Sequence, residues 1–210
     1  MKTKILSLIL AVSVLLLVFT SCSGKNDDTP KGMYRIGGEA NSYHLYVPTT
    51  WTEKSATGFT SAACQDKSNI SMQVLSVKGI FTNGADGYAI MTNSNTYYEI
   101  NDYFTKEYFP YLTATFSNVE LKESFTTNQT LGGCKHTAKY VYTITRDEVR
   151  EETQKENEEG KVLVAKQEYT IMQIFAAYDS SIYIFTYTAT TENYNLHLEE
   201  VNLIIENFKF

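Results

Sequence analysis

Ile182-Tyr183-Ile184-Phe185 is apolar at every position, and this run constrains the fold more than any other in the 210-residue chain. A strand with one wet face alternates apolar and polar residues, so an unbroken run requires a sheet covered on both faces. The sequence also supplies covers. Tyr194, Leu198, Val201, Ile205 and Phe208 recur at steps of four, three, four and three, with Asn195, Glu199, Asn202 and Glu206 on the other side. That spacing predicts an amphipathic helix, with Thr190 or Thr191 as its cap and Glu192 near the positive end of its dipole. A second stripe, Tyr97, Ile100, Phe104, Tyr108 and Tyr111, predicts another helix that ends near Pro110. A stripe of this kind faces a core far more often than it binds a ligand.

The remaining apolar stretches read as strands. Tyr43 to Val47 is stopped by Pro48, and Trp51 is expected to fold back over the core. Gly58–Gln65 and Asn69–Val77 form a pair turned by Asp66-Lys67-Ser68. Residues Asn83 to Thr96, rich in Gly, Asn and Thr, read as loop with a short helix. Val119–Phe125, His136–Thr145 and Val162–Tyr178 complete the set. Between the last two lies Arg146–Lys161, with six glutamates and one aspartate, which reads as the solvated tip of a projecting hairpin.

The N-terminus is of a different kind. Lys2 and Lys4 precede a 15-residue run, Ile5 to Phe19, interrupted only by Ser7 and Ser13. A spanning helix needs about 20 apolar residues, so this length suits the core of a secretory signal. Thr20 and Ser21 then lead directly into Cys22. The arrangement resembles a bacterial lipoprotein signal, which implies cleavage after residue 21 and acylation of Cys22 by diacylglyceryl and palmitate chains. Residues 22–32 carry Gly24 and Pro30 with no apolar period and read as a flexible tether. The expected organisation is a signal over 1–21, a lipidated tether over 22–32 and one domain over 33–210. The expected location is the cell membrane, on its extracytoplasmic face.

Residues 22–210 hold 16 basic and 24 acidic residues, a formal charge of −8. That balance argues against nucleic acid as a partner and against electrostatic docking on anionic lipid. Attachment would come through the lipid, with a further protein or small-molecule partner left unnamed. Cys64 and Cys134 allow one disulfide in an exported protein. A core of this size does not need one, and two buried thiols within strands are the favoured reading.

Several of these residues together resemble the PsbP-like family: Tyr43-His44-Leu45-Tyr46-Val47-Pro48 with Trp51, the paired strands around Phe59–Val77, Gly132-Gly133 before a Tyr-rich strand, Tyr183–Ala189, and the closing Phe208-Lys209-Phe210. Within that family the likeness is to lipid-anchored PsbP-related proteins of Firmicutes. The resemblance implies an α+β fold, an antiparallel β-sheet covered by helices on both faces (an α-β-α sandwich), over roughly residues 34–210. It implies no activity, and no metal-binding residue is carried over.

No catalytic signature or cofactor motif is present: no Gly-x-Ser-x-Gly elbow, phosphate loop or His-Glu-x-x-His. His44 and His136 fall in predicted strands and His197 in the last helix, without metal-ligand spacing. His197 and Glu200 share a helical face and read as a solvated pair. Cys64 or Cys134 becomes a nucleophile if a histidine meets it in space. Cys134 with His136, two residues apart on one strand face, is the best such pair. The acidic run Glu148, Glu151, Glu152, Glu156, Glu158 and Glu159 could collect calcium but lacks an EF-hand pattern. The leading expectation is a non-enzymatic, lipid-anchored binding or accessory module. The alternatives are a thiol-dependent hydrolase using Cys134 and His136, and a calcium-responsive surface module.

Overall fold

A computed structural model describes residues 29–54, 59–76, 80–82, 88–91, 97–98, 100–126, 131–134, 137–149, 164–179 and 181–210. The signal, Cys22, most of the tether, His136 and the acidic segment 150–163 lie outside these residues.

The described chain begins with a ribbon of β1 (Met33–Ile36) and β2 (Leu45–Pro48), followed by β3 (Thr52–Lys54), β4 (Phe59–Ala63) and β5 (Asn69–Ser76). Three short strands follow, β6 (Ile80–Thr82), β7 (Tyr88–Met91) and β8 (Tyr97–Tyr98), and form a sheet of their own. The first helical segment is α1 (Ile100–Tyr103), a π turn (Phe104–Tyr108) and α2 (Phe109–Thr115). Then come β9 (Ser117–Thr126), β10 (Thr137–Val149), β11 (Val164–Tyr178) and β12 (Ser181–Thr190). A 3₁₀ turn (Tyr194–His197) leads into α3 (Leu198–Asn207). The main sheet has seven strands in the order β3-β4-β5-β12-β11-β10-β9, every pair antiparallel.

The last strand in sequence is thus the middle strand in space, and its unbroken apolar run is used on both sides. Tyr183, Phe185 and Tyr187 enter one core cluster, while Ile182 and Ile184 enter the other. The register with β11 keeps the two sets apart: Ile174 opposes Phe185 and Met172 opposes Tyr187 on one face, and Phe175 opposes Ile184 on the other. Full burial of such side chains is worth about 1.5–3 kcal/mol each, which fixes the register because a one-residue slip would exchange the faces.

The first face is covered by α3, through Val201, Ile204 and Ile205, and by the ribbon, through Leu45 and Val47. Trp51 is buried there, as its position after Pro48 suggested. The chain end is fixed to the ribbon, since the His44 N–H donates to the Lys209 carbonyl at 2.7 Å and the Lys209 N–H to that of His44 at 3.2 Å. Gly132 permits this closure: its φ is +58°, and a Cβ there would lie 2.8 Å from the Phe210 ring and 2.9 Å from that of Phe208. The cap of the last helix differs from expectation. Asn193 occupies the cap position of the 3₁₀ turn without a side-chain capping bond, and the Thr191 hydroxyl donates to Glu168 Oε1 at 2.9 Å. Thr191 is held by the neighbouring strand, so it is not free to cap.

The second face is covered by α1, the π turn and α2. Phe104 is fully buried and lies parallel to the Tyr140 ring, within 4°. The helical segment does not stop near Pro110 but runs to Thr115, and Tyr97 belongs to β8. A proline within a helix clashes with the carbonyl four residues back. Here the Phe109 N–H reaches back five residues to the Phe104 carbonyl, and the widened turn accommodates Pro110. The extra residue also shifts the helical phase by one position. Leu112 therefore takes the buried place expected of Tyr111, which is 63% exposed. The region expected as loop contains β7, a run of Tyr, Ala, Ile and Met inside its polar surroundings, while residues 83–87 and 92–96 lie outside the described set. β10 and β11 form the expected long hairpin, paired from Thr137↔Ala176 to Val149↔Val164.

Candidate functional site

The β4–β5 turn places the first residues of the site. Cys64 follows β4, and its N–H donates to the Ser68 carbonyl at 2.8 Å, while Lys67 takes a left-handed φ of 70°. Asp66 is oriented within that turn: its Oδ1 accepts the Ser68 N–H at 3.0 Å and its Oδ2 the Ser68 hydroxyl at 3.0 Å. This is the Asx geometry that makes aspartate a turn former.

The start of α3 brings the remainder. His197 closes the 3₁₀ turn, and its Nε2 lies 3.2 Å from Asp66 Oδ2, 131 residues away in sequence. Its Nδ1 lies 3.0 Å from Glu200 Oε2 and 3.8 Å from Cys64 Sγ. The Trp51 indole stands edge-on to the imidazole at 5.7 Å, and its Nε1–H donates to Glu200 Oε2 at 3.0 Å. The Thr50 hydroxyl donates to Glu200 Oε1 at 3.0 Å, and Asn193 Nδ2 donates to Asp66 Oδ2 at 3.1 Å. Side-chain exposures of His197, Asp66 and Glu200 are 21%, 26% and 32%, so the expected solvated pair is instead a half-buried cluster.

The charges follow from these contacts. Burial of the imidazole favours its neutral form, but hydrogen bonds and charge from Glu200 and Asp66 outweigh it and raise the His197 pKa. Burial of Asp66 is likewise outweighed by the Ser68 and His197 hydrogen bonds, which hold its carboxyl below the ordinary range. Glu200 is lowered in the same way by His197, Trp51 and Thr50. Cys64 moves in the opposite sense: burial, then the Glu200 and Asp66 charges, push its thiol up to about 12.

A cysteine, a histidine and a carboxylate in contact suggest a hydrolase, but these groups are arranged unfavourably for that chemistry. Nδ1 lies nearer Glu200 Oε2, at 3.0 Å, than the Cys64 sulfur, at 3.8 Å, and Nε2 faces Asp66, so carboxylates compete with the thiol for both ring nitrogens. A thiol at about 12 is ionised to only roughly one part in 10⁵ at pH 7. Cys134 is placed elsewhere. It lies in the loop before β10, is 7% exposed, and donates its S–H to the Ala177 carbonyl at 3.2 Å. The proposed pairing of Cys134 with His136 falls outside the described residues. The two cysteines are not bridged, and each flanks a strand where the sequence suggested a place within one. His44 forms an isolated bridge with Lys209 beside β2 and joins no cluster.

The second feature is a trough of about 830 Å³ on the sheet face that carries α1 and α2. The helical segment covers only the β9–β10–β11 side of that face. The uncovered side presents Ser61, Asn69, Ser71, Thr186 and Thr188, with Tyr108 and Phe116 along the helical wall. At the floor, the Tyr142 hydroxyl donates to Gln173 Oε1 at 2.9 Å, and Gln173 Nε2 donates to Tyr108 at 3.0 Å and Thr186 at 3.1 Å. Among the described residues, Lys54, Lys67 and Arg146 line the trough and no acid does, in a chain whose net charge is −6. The Arg146 guanidinium stands 5.0 Å from the Phe116 ring centroid.

No family model and no curated protein matches this chain. Among solved structures it is similar to the cyanobacterial PsbP (CyanoP) of Synechocystis sp. PCC 6803, at 9% identity and TM-score 0.49, covering 89% of this chain and 97% of that one. It is also similar to the Ran-binding protein Mog1p of Saccharomyces cerevisiae, at 12% identity and TM-score 0.44, over 84% and 94% of the two chains. A third is LpqN of Mycobacterium tuberculosis, described as involved in cell envelope biogenesis, at 9% identity and TM-score 0.41, over 84% and 90%. These are likenesses of fold. The layered α+β architecture itself rests on the sheet order and the two helical covers described above.

Proposed function

We propose that this protein is a lipid-anchored, extracytoplasmic binding module of the PsbP-related type, and that its ligand is anionic and occupies the sheet-face trough. The trough carries the reading: an acidic chain gathers three cations, with no carboxylate among the described lining residues, around a concavity floored by hydroxyl and amide groups. Such a lining pairs with carboxylate, sulfate or phosphate groups, while Tyr108 and Phe116 offer apolar contact. Acylation at Cys22 and a tether of 22–32 would hold the start of β1 within about 35 Å of a bilayer, since an extended residue spans at most ~3.6 Å. The Cys64 environment supports a module without thiol catalysis.

The test is a calorimetric titration of the protein with oligogalacturonate, sulfated dextran and inorganic polyphosphate, with neutral dextran as control. Saturable binding of an anionic probe, lost in Lys54→Glu and Arg146→Glu and weakened by salt, is the expected result. Equal binding of neutral dextran, or no binding of any anion, would overturn the anionic assignment.

A further inference from the structure

We infer that Cys64, Asp66 and His197 form a binding site for a borderline-soft divalent cation of the zinc class. The Cys64 sulfur, one Asp66 carboxylate oxygen and one His197 ring nitrogen all lie within 4.8 Å of one another. Tetrahedral zinc with bonds of about 2.0–2.3 Å sets its ligand atoms roughly 3.3–3.6 Å apart. The Asp66–His197 separation of 3.2 Å already meets that spacing, and the Cys64 sulfur, 3.8 Å from Nδ1, must swing from that nitrogen toward Nε2 to complete the set. The donor set selects the metal. One thiolate, one imidazole and one carboxylate suit zinc, whereas calcium and magnesium require an all-oxygen shell.

The surroundings match those of a metal-ligating histidine. Such a ring commonly donates its second N–H to a carboxylate, which fixes the tautomer and the ring plane. Glu200 Oε2 stands 3.0 Å from Nδ1 and is itself held by Trp51 and Thr50. Nδ1–H bonded to Glu200 leaves Nε2 directed at Asp66, where the metal would replace the present hydrogen bond. Asp66 is positioned independently by Ser68 and Asn193. Three protein donors leave a fourth position for water or another ligand. The ligands come from the β4–β5 turn and the start of α3, so the ion would join two elements that no covalent link connects. Binding requires the thiol proton and a ring proton to leave to solvent, with no change of oxidation state.

The experiment is titration of the intact protein with zinc, and with cobalt as its spectroscopic substitute. The expected results are one ion per chain, a thiolate-to-cobalt charge-transfer band, and protection of Cys64 from alkylation by zinc, read by peptide mass. The band should vanish in Cys64→Ser and weaken at least tenfold in His197→Gln, and persist in Cys22→Ser and Cys134→Ser. A band that survives Cys64→Ser would overturn the assignment. So would a wild-type Cys64 alkylation rate unchanged by millimolar zinc, a readout that needs no variant to fold. Cys64 also lines the trough, so the metal titrations are run without any anion; both results should persist in Lys54→Glu and Arg146→Glu, which separates failure of the metal site from failure of the anion reading.

Discussion

His197 reaches Asp66 across 131 residues of sequence, with its Nε2 at 3.2 Å from the carboxylate, while its Nδ1 faces Glu200 one helical turn ahead at 3.0 Å. The imidazole therefore joins the β4–β5 turn to the last helix through two carboxylates.

This arrangement predicts a stability optimum in mildly acidic solution for the metal-free protein. Because the His197 pKa is raised, its contribution is complete below the ordinary value of 6.5 and is lost as pH rises through the folded value. Asp66 and Glu200 are lowered, so theirs is complete above the ordinary 3.8 and 4.5 and is lost as pH falls through the folded values. Urea unfolding across about pH 4 to 9 should show the maximum between the two limits. His197→Gln should lose about 2 kcal/mol at that maximum and flatten the alkaline decline. An unchanged decline in the variant would mean that another group sets it.

Phe104 predicts a packing effect of a different size. It is fully buried against Tyr140, Phe175 and Tyr108. Phe104→Ala should cost about 3–5 kcal/mol in chemical denaturation, the range for emptying a buried aromatic site. Tyr111→Ala, at an exposed position next to Leu112 and one helical turn from Tyr108, should stay within about 0.5 kcal/mol. Equal losses would show that the helical phase is not shifted by the π turn.

The anchor is tested by mass. Protein extracted from membranes should begin at Cys22 and carry two acyl chains or more, because one chain gives only marginal attachment. Cys22→Ser should move the protein to the soluble fraction. An unacylated wild-type chain cleaved elsewhere would mean free secretion.

The sheet was legible where residues report directly on their own surroundings. Ile182 to Phe185 required two covered faces, and the Tyr194–Phe208 stripe supplied one cover: Val201, Ile205 and Phe208 are buried and Tyr194 and Leu198 partly so, while the buried Ile204 lay outside the stripe. The other stripe was read in the wrong phase after Tyr108, because a π turn adds a residue without leaving a mark in apolar spacing. The ribbon strand β1 was missed, since Met33–Ile36 is only four residues long and includes Arg35. The site was hidden for a different reason. The His197–Glu200 spacing was visible and read as solvated, but its partners come from a turn more than a hundred residues earlier. Only the sheet brings Cys64 and Asp66 to the start of α3. An Asx turn beside a cysteine was the one available signal, and it is common without any ligand.

The position of β12 sets a schedule for the chain. Residues 181–190 follow every other strand of the main sheet in sequence, yet they form the strand on which β5 and β11 both pair. Until they are made, two half-sheets wait with open edges and unpaired apolar faces, the condition in which strands find wrong partners. A protein built this way depends on prompt completion, and a holding chaperone would act in the interval before residue 181 emerges.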